Sequence, residues 1–257
     1  EVRFLYRHIK KELSMFGPQA TALVQMPDSS AMQKNKIEFK SVALSRDNYI
    51  VLPNSVQHNV PAWSLFAMFF IVIPLATSMI QERSEGNLKR LLSTPLNYLE
   101  LILGKVIVYL MVCLAQFALM VACGIYLLPE LGYATLQIGN QPLSIFIVTL
   151  IISLAASGYG ILVGTFASTQ QQASSFGAIS IIIAAAIGGI WVPVFIMPEF
   201  MQLLSQLSPL AWGLNAFHEL FLRGGTVIKV WKEILLLFLF FVFTMSLAIV
   251  KFRFTKQ

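Results

Sequence analysis

Apolar residues in this chain lie in long blocks rather than at the period of an amphipathic helix or strand. Five blocks of about 20 residues cover residues 61–80, 106–128, 143–166, 175–192 and 230–250. A helix needs about 20 mostly apolar residues to cross the hydrocarbon core of a bilayer. The pattern therefore predicts an all-α polytopic membrane protein with five transmembrane helices, forming one transmembrane domain over residues 60–257.

The N-terminal part of the chain, residues 1–59, is mixed and polar. Val2 to Leu13 place apolar residues on one helical face, and residues 36–44 and 48–53 have the composition of short extended segments. We expect this region to be a fragment of a small α/β extracytoplasmic domain.

Basic residues indicate how the spans are oriented. They collect in the polar loop after the first block, residues 81–105, and in the tail at 251–257, whereas residues 130–142 contain no Lys or Arg. Short loops rich in Lys and Arg stay on the cytoplasmic side. The C-terminus is therefore expected in the cytoplasm and the N-terminal segment on the extracytoplasmic side.

Composition narrows the possible functions. Hydrophobic residues make up 57% and charged residues 12%, against about 25% charged residues in ordinary soluble domains. The net charge of +6 does not indicate nucleic-acid binding, because the basic residues sit at the ends of apolar blocks. No partner of that kind is expected.

Candidate catalytic chemistry is sparse. No Asp, Glu, Lys, Arg or His lies between Leu131 and Pro198, and no phosphate-binding G-x-x-x-x-G-K-[ST] loop occurs anywhere. His8, His58 and His218 are expected to lie far apart as surface or interface histidines. We assign no catalytic residue, no metal ligand and no cofactor to this chain, and expect it not to be an enzyme by itself.

The most informative polar segment follows the first apolar block, at residues 81–96. Glu85 and Lys89 have the i,i+4 spacing of a helical ion pair, and Leu88, Leu91 and Leu92 form an apolar ridge. Gly86 and Pro95 are typical helix breakers. The residues alone leave two interpretations open: a helix resting on lipid, or a helix that docks onto a protein.

The same segment resembles a known signature. Read as E-R-x-x-G-x-L-x-R-L-x-x-T-P from Glu82 to Pro95, it is similar to the coupling helix of ABC type-2 exporter permeases, with Asn87 and Lys89 departing from the usual Thr and acidic residue. Residues 169–173 and 197–225 also resemble family segments. The similarity covers about residue 60 to the C-terminus, and the family's first transmembrane helix is inferred to be missing.

The resemblance implies that this is the permease subunit of an exporter in the bacterial inner membrane. It implies a second permease subunit, as homodimer or heterodimer, a separate ABC ATPase that holds ATP and magnesium, and a periplasmic adaptor in some systems. The implied ATPase-docking residues are Glu82, Arg83, Glu85, Gly86, Leu88, Lys89, Arg90 and Leu91. The alternative is a nucleotide-independent channel or lipid-handling scaffold.

Small residues and prolines predict where helices approach or bend. Ala156, Gly160 and Gly164 recur every fourth residue, and Gly188–Gly189 lie in the fourth block. Such positions let helices pack closely, either within one subunit or at a surface facing the dimer or pathway. Pro74 predicts a kink in the first span. Residues 194–225 are expected to form one or two short helices that dip into the outer leaflet or cap the pathway exit, or else a plain surface helix on the extracellular side.

Overall fold

The computed structural model describes residues 42–45, 48–51, 55–86, 98–139 and 141–255. The chain divides into two compact units, residues 1–50 and 51–257. Two short strands, β1 (Val42–Ser45) and β2 (Asn48–Val51), pair in a two-stranded sheet. They overlap the extended segments expected at 36–44 and 48–53. The helix expected at Val2 to Leu13 lies outside the described residues, and the α/β domain stays a prediction.

The remaining described residues are predominantly helical. The helices are α1 (Ser55–Phe70), α2 (Val72–Ser84), α3 (Tyr98–Ala122), α4 (Pro142–Phe166), α5 (Gln170–Ile187), α6 (Glu199–Ser205), α7 (Pro209–Leu222) and α8 (Trp231–Thr255). Helix α3 continues through a π-helical turn, Cys123–Leu127, and a last turn, Leu128–Glu130.

Four helical segments of the described chain are long and apolar enough to cross a membrane. They are Val56–Ser84, which is α1 and α2 together, Leu99–Glu130, Pro142–Phe166 and Trp231–Lys251. A multi-pass α-helical membrane protein is thereby confirmed, since such lengths match the thickness of a bilayer.

The predicted fourth span, residues 175–192, is not among these segments. It falls on α5, whose first turn is Gln170–Gln172 and which ends at Ile187 because Gly188 and Gly189 follow, Gly189 with a φ of +87°. The apolar part from Ala173 to Ile187 covers roughly 22 Å at 1.5 Å per residue. That is shorter than a hydrocarbon core of about 30 Å.

Helix α4 and the α1–α2 segment form the centre of the helical unit. The most apolar stretch of α4 is 61% buried within the chain and that of α1–α2 is 56% buried, against 17% for α3 and 22% for α8. Helix α4 contacts α2 on one side and α8 on another. Because lipid is as apolar as a core side chain, close packing rather than water exclusion holds these helices together.

Helix α7 packs its apolar face into the helical unit. Its apolar residues are buried, including Leu214 and Phe217, and the Phe217 ring stacks on Phe117 of α3 with centroids 5.2 Å apart. Gly213 lies against Leu65 of α1, so closely that a Cβ there would come within 2.8 Å of the Leu65 side chain. The position of residues 194–225 relative to the membrane stays a prediction, while α7 itself packs against the other helices.

Candidate functional site: the polar end of the first span

The segment resembling a coupling helix begins at the end of α2. Helix α2 ends at Ser84, and the Gln81 Nε2 donates a hydrogen bond of 2.7 Å to Glu85 Oε1. Gly86 follows with a φ of +75°, a conformation that glycine adopts without steric cost. Helix α2 therefore ends just before Gly86, where the sequence predicted a break.

Glu82 ties this end of α2 to α3. Its Oε1 lies 2.6 Å from the Nζ of Lys105, and the Lys105 side chain is only 20% exposed. Exposed ion pairs contribute about 0–1 kcal/mol, and this pair, with Glu82 34% exposed, sits toward the upper end of that range. The sequence places both residues in the cytoplasmic loop region but gives no sign of their pairing.

A second polar contact lies deeper along the same two helices. The Tyr109 hydroxyl of α3 is 3.2 Å from the Pro74 carbonyl oxygen and 3.2 Å from the Ser78 Oγ, both on α2. Together with the Glu82–Lys105 pair, this contact joins α2 to α3 at two levels.

The first span is interrupted between α1 and α2. The break lies at Ile71, three residues before Pro74, whose position within the first turn of α2 requires no N–H donor. Proline cannot donate to the carbonyl four residues earlier, and its ring crowds that carbonyl. The kink that was predicted from Pro74 therefore corresponds to a helix break three residues before this proline.

The small residues of α4 face α2. A Cβ on Gly160 would lie 3.2 Å from the Val72 Cα, and one on Gly164 would lie 3.0 Å from the Ala76 Cα. Ala156, one turn earlier, is fully buried. These residues bring the backbones of α4 and α2 together within one chain.

Gly188 and Gly189 lie at the end of α5, beside the start of α7. A Cβ on Gly188 would meet the Ser208 Oγ at 3.0 Å and the Ala211 N at 3.1 Å. The Ser208 Oγ donates to the Ala184 carbonyl oxygen at 2.8 Å. The two glycines thus let α7 begin directly against α5.

The structure corrects the expectation that His58 and His218 lie far apart, whereas His8 lies outside the described residues. His58 of α1 and His218 of α7 are 160 residues apart in the chain, yet the His58 Nδ1 is 3.2 Å from the His218 Nε2. Burial, and after it the charges of His58 and Arg223, lower the pKa of His218 to about 4. Two imidazoles are too few for a metal site, and the described residues contain no cluster of three potential ligands.

Part of the expected docking set is placed and part is not. Glu82, Arg83, Glu85 and Gly86 lie together at the end of α2, with Arg83 and Glu85 exposed. Leu88, Lys89, Arg90 and Leu91 lie outside the described residues. Their roles, and the amphipathic helix expected over them, stay predictions.

These features define a multi-pass helical membrane protein whose first span ends in a charged, ion-paired segment. The model of ABC-2 family transporter proteins matches residues 5–250. The chain belongs to that family, as the resemblance of residues 82–95 indicated.

Two relatives agree with this assignment. The chain is 29% identical to the "Probable multidrug ABC transporter permease YbhR" of Escherichia coli K12 over 196 residues, which is 74% of this chain and 51% of the relative. It is 26% identical to the "Linearmycin resistance permease protein LnrN" of Bacillus subtilis 168 over 165 residues, 63% of this chain and 41% of the relative. The chain thus matches about half the length of these relatives or less.

Proposed function

We propose that this chain is the membrane-spanning permease subunit of an ATP-driven exporter, and that a separate ATPase drives it through the loop at residues 81–96. The observation that carries the proposal is the double attachment of α2 to α3, by Glu82–Lys105 and by Tyr109. A force applied beyond Ser84 would reach two helices of the membrane domain together. In this arrangement ATP and magnesium bind to the ATPase and not to this chain.

The membrane topology is part of the proposal. We propose that α5 completes a fifth span together with residues 188–192, although it is short. Gly177 of α5 packs on Val72 near the middle of the first span, while Trp191 meets the ring of Phe66 further toward its amino end. This path runs antiparallel to α2. With the C-terminus in the cytoplasm of a bacterial inner membrane, α7 and the histidine pair lie on the outer side.

The partners follow from the family. Two permease subunits, identical or not, would enclose the pathway, and an adaptor would join on the periplasmic side in some systems. The names of the relatives, a multidrug permease and a linearmycin resistance permease, support an amphipathic or drug-like cargo. The residues of α4 and α5 include no charged side chain, and such an uncharged region of the membrane domain is compatible with a molecule of this kind.

Charge reversal of the loop tests this function. The chain is co-expressed with its candidate ATPase and purified with Glu82→Arg, with Arg90→Glu, and with the control Arg223→Glu on the opposite side of the membrane. We expect the two loop variants to lose ATPase association and ATP-dependent export, and the control to retain both. Unchanged association and export in both loop variants would refute docking at 81–96. Flux in proteoliposomes without ATPase or ATP would favour a nucleotide-independent channel instead.

A further inference from the structure

A cleft of about 400 Å³ opens between α4, α5 and α8. Its walls include Leu162 and Val163 of α4, Ala167 just after α4, and Leu247 of α8, so its lining is almost entirely apolar. Volumes of 300–1,000 Å³ are typical of small-molecule pockets. From Tyr159 to Phe166 the cleft follows α4 for roughly 10 Å at 1.5 Å per residue.

The mouth of the cleft faces the surroundings of the helical unit. Phe166 is 54% exposed and Phe176 is 59% exposed, and both line the cleft. Gly164, beside this region of α4, contacts Ala76 and Met79 of α2. The cleft therefore lies toward the same end of the helical unit as Glu82, which is the cytosolic side in the proposed topology.

The side chain of Lys251 lies at the mouth of the cleft. Lys251 follows the wall residue Leu247 by one helical turn, and its Nζ lies 5.8 Å from the centre of the Phe166 ring. Of the described residues that line the cleft, none is acidic, and the polar ones are Tyr159 and Gln172. The cleft also borders the first turn of α5, where the helix dipole favours negative charge.

We propose that this cleft binds an anionic amphiphile from the cytosolic leaflet, with its apolar chain between α4 and α8 and its negatively charged head beside Lys251. The apolar walls match a hydrocarbon chain, and the lysine at the rim supplies charge complementarity at the depth where headgroups lie. The inference that cargo is collected in this cleft rests on the exporter function proposed above. Binding itself requires neither ATP nor the ATPase.

The test uses photoreactive probes of one chain length. The protein is reconstituted into phosphatidylcholine nanodiscs and exposed to a sixteen-carbon fatty acid carrying a diazirine, to its methyl ester and to the corresponding alkyl amine. Mass spectrometry locates the adducts. We expect them on the peptide covering residues 159–167, with the acid labelling about threefold more than the ester or amine, a ratio typical of one exposed charge interaction.

Paired variants separate the charge from the cavity. Lys251→Gln should abolish the preference for the acid, whereas Lys232→Gln, at the other end of α8, should keep it. Leu162→Trp, and independently Leu247→Trp, should lower labelling roughly fivefold by displacing one or two methylene groups of the probe. Leu119→Trp, on the exposed face of α3, should leave labelling unchanged.

Three results would overturn the inference. The first is equal labelling by acid, ester and amine, and the second is unchanged labelling in both tryptophan variants of the cleft. The third is a covalent dimer in place of a lipid adduct when p-benzoylphenylalanine replaces Leu247, because that would assign the cleft to contact with a second copy of the chain. Since no ATPase is present, each of these results leaves the docking assignment of residues 81–96 untouched.

Discussion

The imidazoles of His58 and His218 contact each other inside the helical unit, with 3.2 Å between Nδ1 and Nε2 and 5.2 Å between the ring centres. One ring donates a hydrogen bond and the other accepts it, so at least one accepting nitrogen must stay unprotonated. The contact joins α1 to α7. Protonating both rings would place two like charges side by side in a buried position.

Acid should therefore destabilise the protein through His218. The pKa of His218 in the fold is about 4, below the unfolded value of about 6.5, so the unfolded chain binds the proton more tightly. Stability is fully present above pH 6.5 and falls as the pH approaches 4, by roughly 2 kcal/mol at pH 5. Thermal unfolding in detergent from pH 7.5 to pH 5 measures this loss.

A substitution identifies the histidine as the cause. His218→Gln should flatten the decline between pH 6.5 and pH 5, at some cost in stability at pH 7.5. Asn215→Gln, on an exposed position of the same helix, should reproduce the wild-type profile. An equally steep decline in the His218→Gln variant would show that other groups cause the acid sensitivity.

The contribution of Glu82 to stability, through its ion pair with Lys105, should be separable from its contribution to ATPase docking. Lys105→Glu places two carboxylates together and should cost about 1 kcal/mol, measured as a lower unfolding temperature. The exchange Glu82→Lys with Lys105→Glu should restore that temperature, because the ion pair is rebuilt with reversed polarity.

ATPase co-purification then gives the second measurement. If Glu82 also contacts the ATPase, the exchanged variant should remain poor in association although its stability has recovered. Full recovery of both properties would assign Glu82 to the attachment of α2 to α3 alone.

Close packing of α4 on α2 should make Gly164 sensitive to enlargement. In Gly164→Leu, the side chain would start 3.0 Å from both the Ala76 Cα and the Met79 Sδ, and such overpacking costs about 1–3 kcal/mol. Gly104→Leu on α3 is the matched control, because nothing lies within 4 Å of a Cβ there. A similar loss of thermal stability in both variants would contradict the packing argument.

Membrane sidedness can be read from single cysteines. Ser84→Cys lies at the polar end of α2 and Tyr133→Cys follows α3 at its opposite end, both on exposed positions. In intact cells whose inner membrane faces an accessible periplasm, an impermeant maleimide should label Tyr133→Cys directly and Ser84→Cys only after permeabilisation. The unsubstituted chain, with Cys113 buried and Cys123 half-buried, provides the background. The reverse labelling pattern would invert the topology and remove the docking site from the cytosol.

Long uncharged runs made most of the membrane helices predictable. Residues 143–166 were expected as a span and α4 runs from Pro142 to Phe166, because no charged residue interrupts the apolar run. Helix α3 extends beyond the expected 106–128 to begin at Tyr98. Its first turns contain Glu100 and Lys105. These charged residues lie outside the apolar block from which the span was predicted, but both are compatible with a helix.

Other features depend on contacts that no local pattern records. Residues 175–192 read as one apolar block, but Gly188 and Gly189 end α5 early and let the chain turn toward α7. The His58–His218 and Glu82–Lys105 pairs join residues 160 and 23 positions apart in the chain. Each polar group looks like an ordinary surface residue until the packing of its helix is known.

The interruption at Ile71 gives the first span a flexible point between two regular helices, α1 and α2. Helix α2 is held by Tyr109 and Lys105 of α3, whereas α1 is held by α7, through the approach of Gly213 to Leu65 and through the histidine contact. The backbone is weakly bonded on the amino side of this break, because the Ile71 N–H makes only a long hydrogen bond, 3.4 Å, to the Met68 carbonyl oxygen. A movement of α2 at its polar end can therefore be accommodated by bending at Ile71. The contact between His58 and His218, near the amino end of the span, would then stay in place.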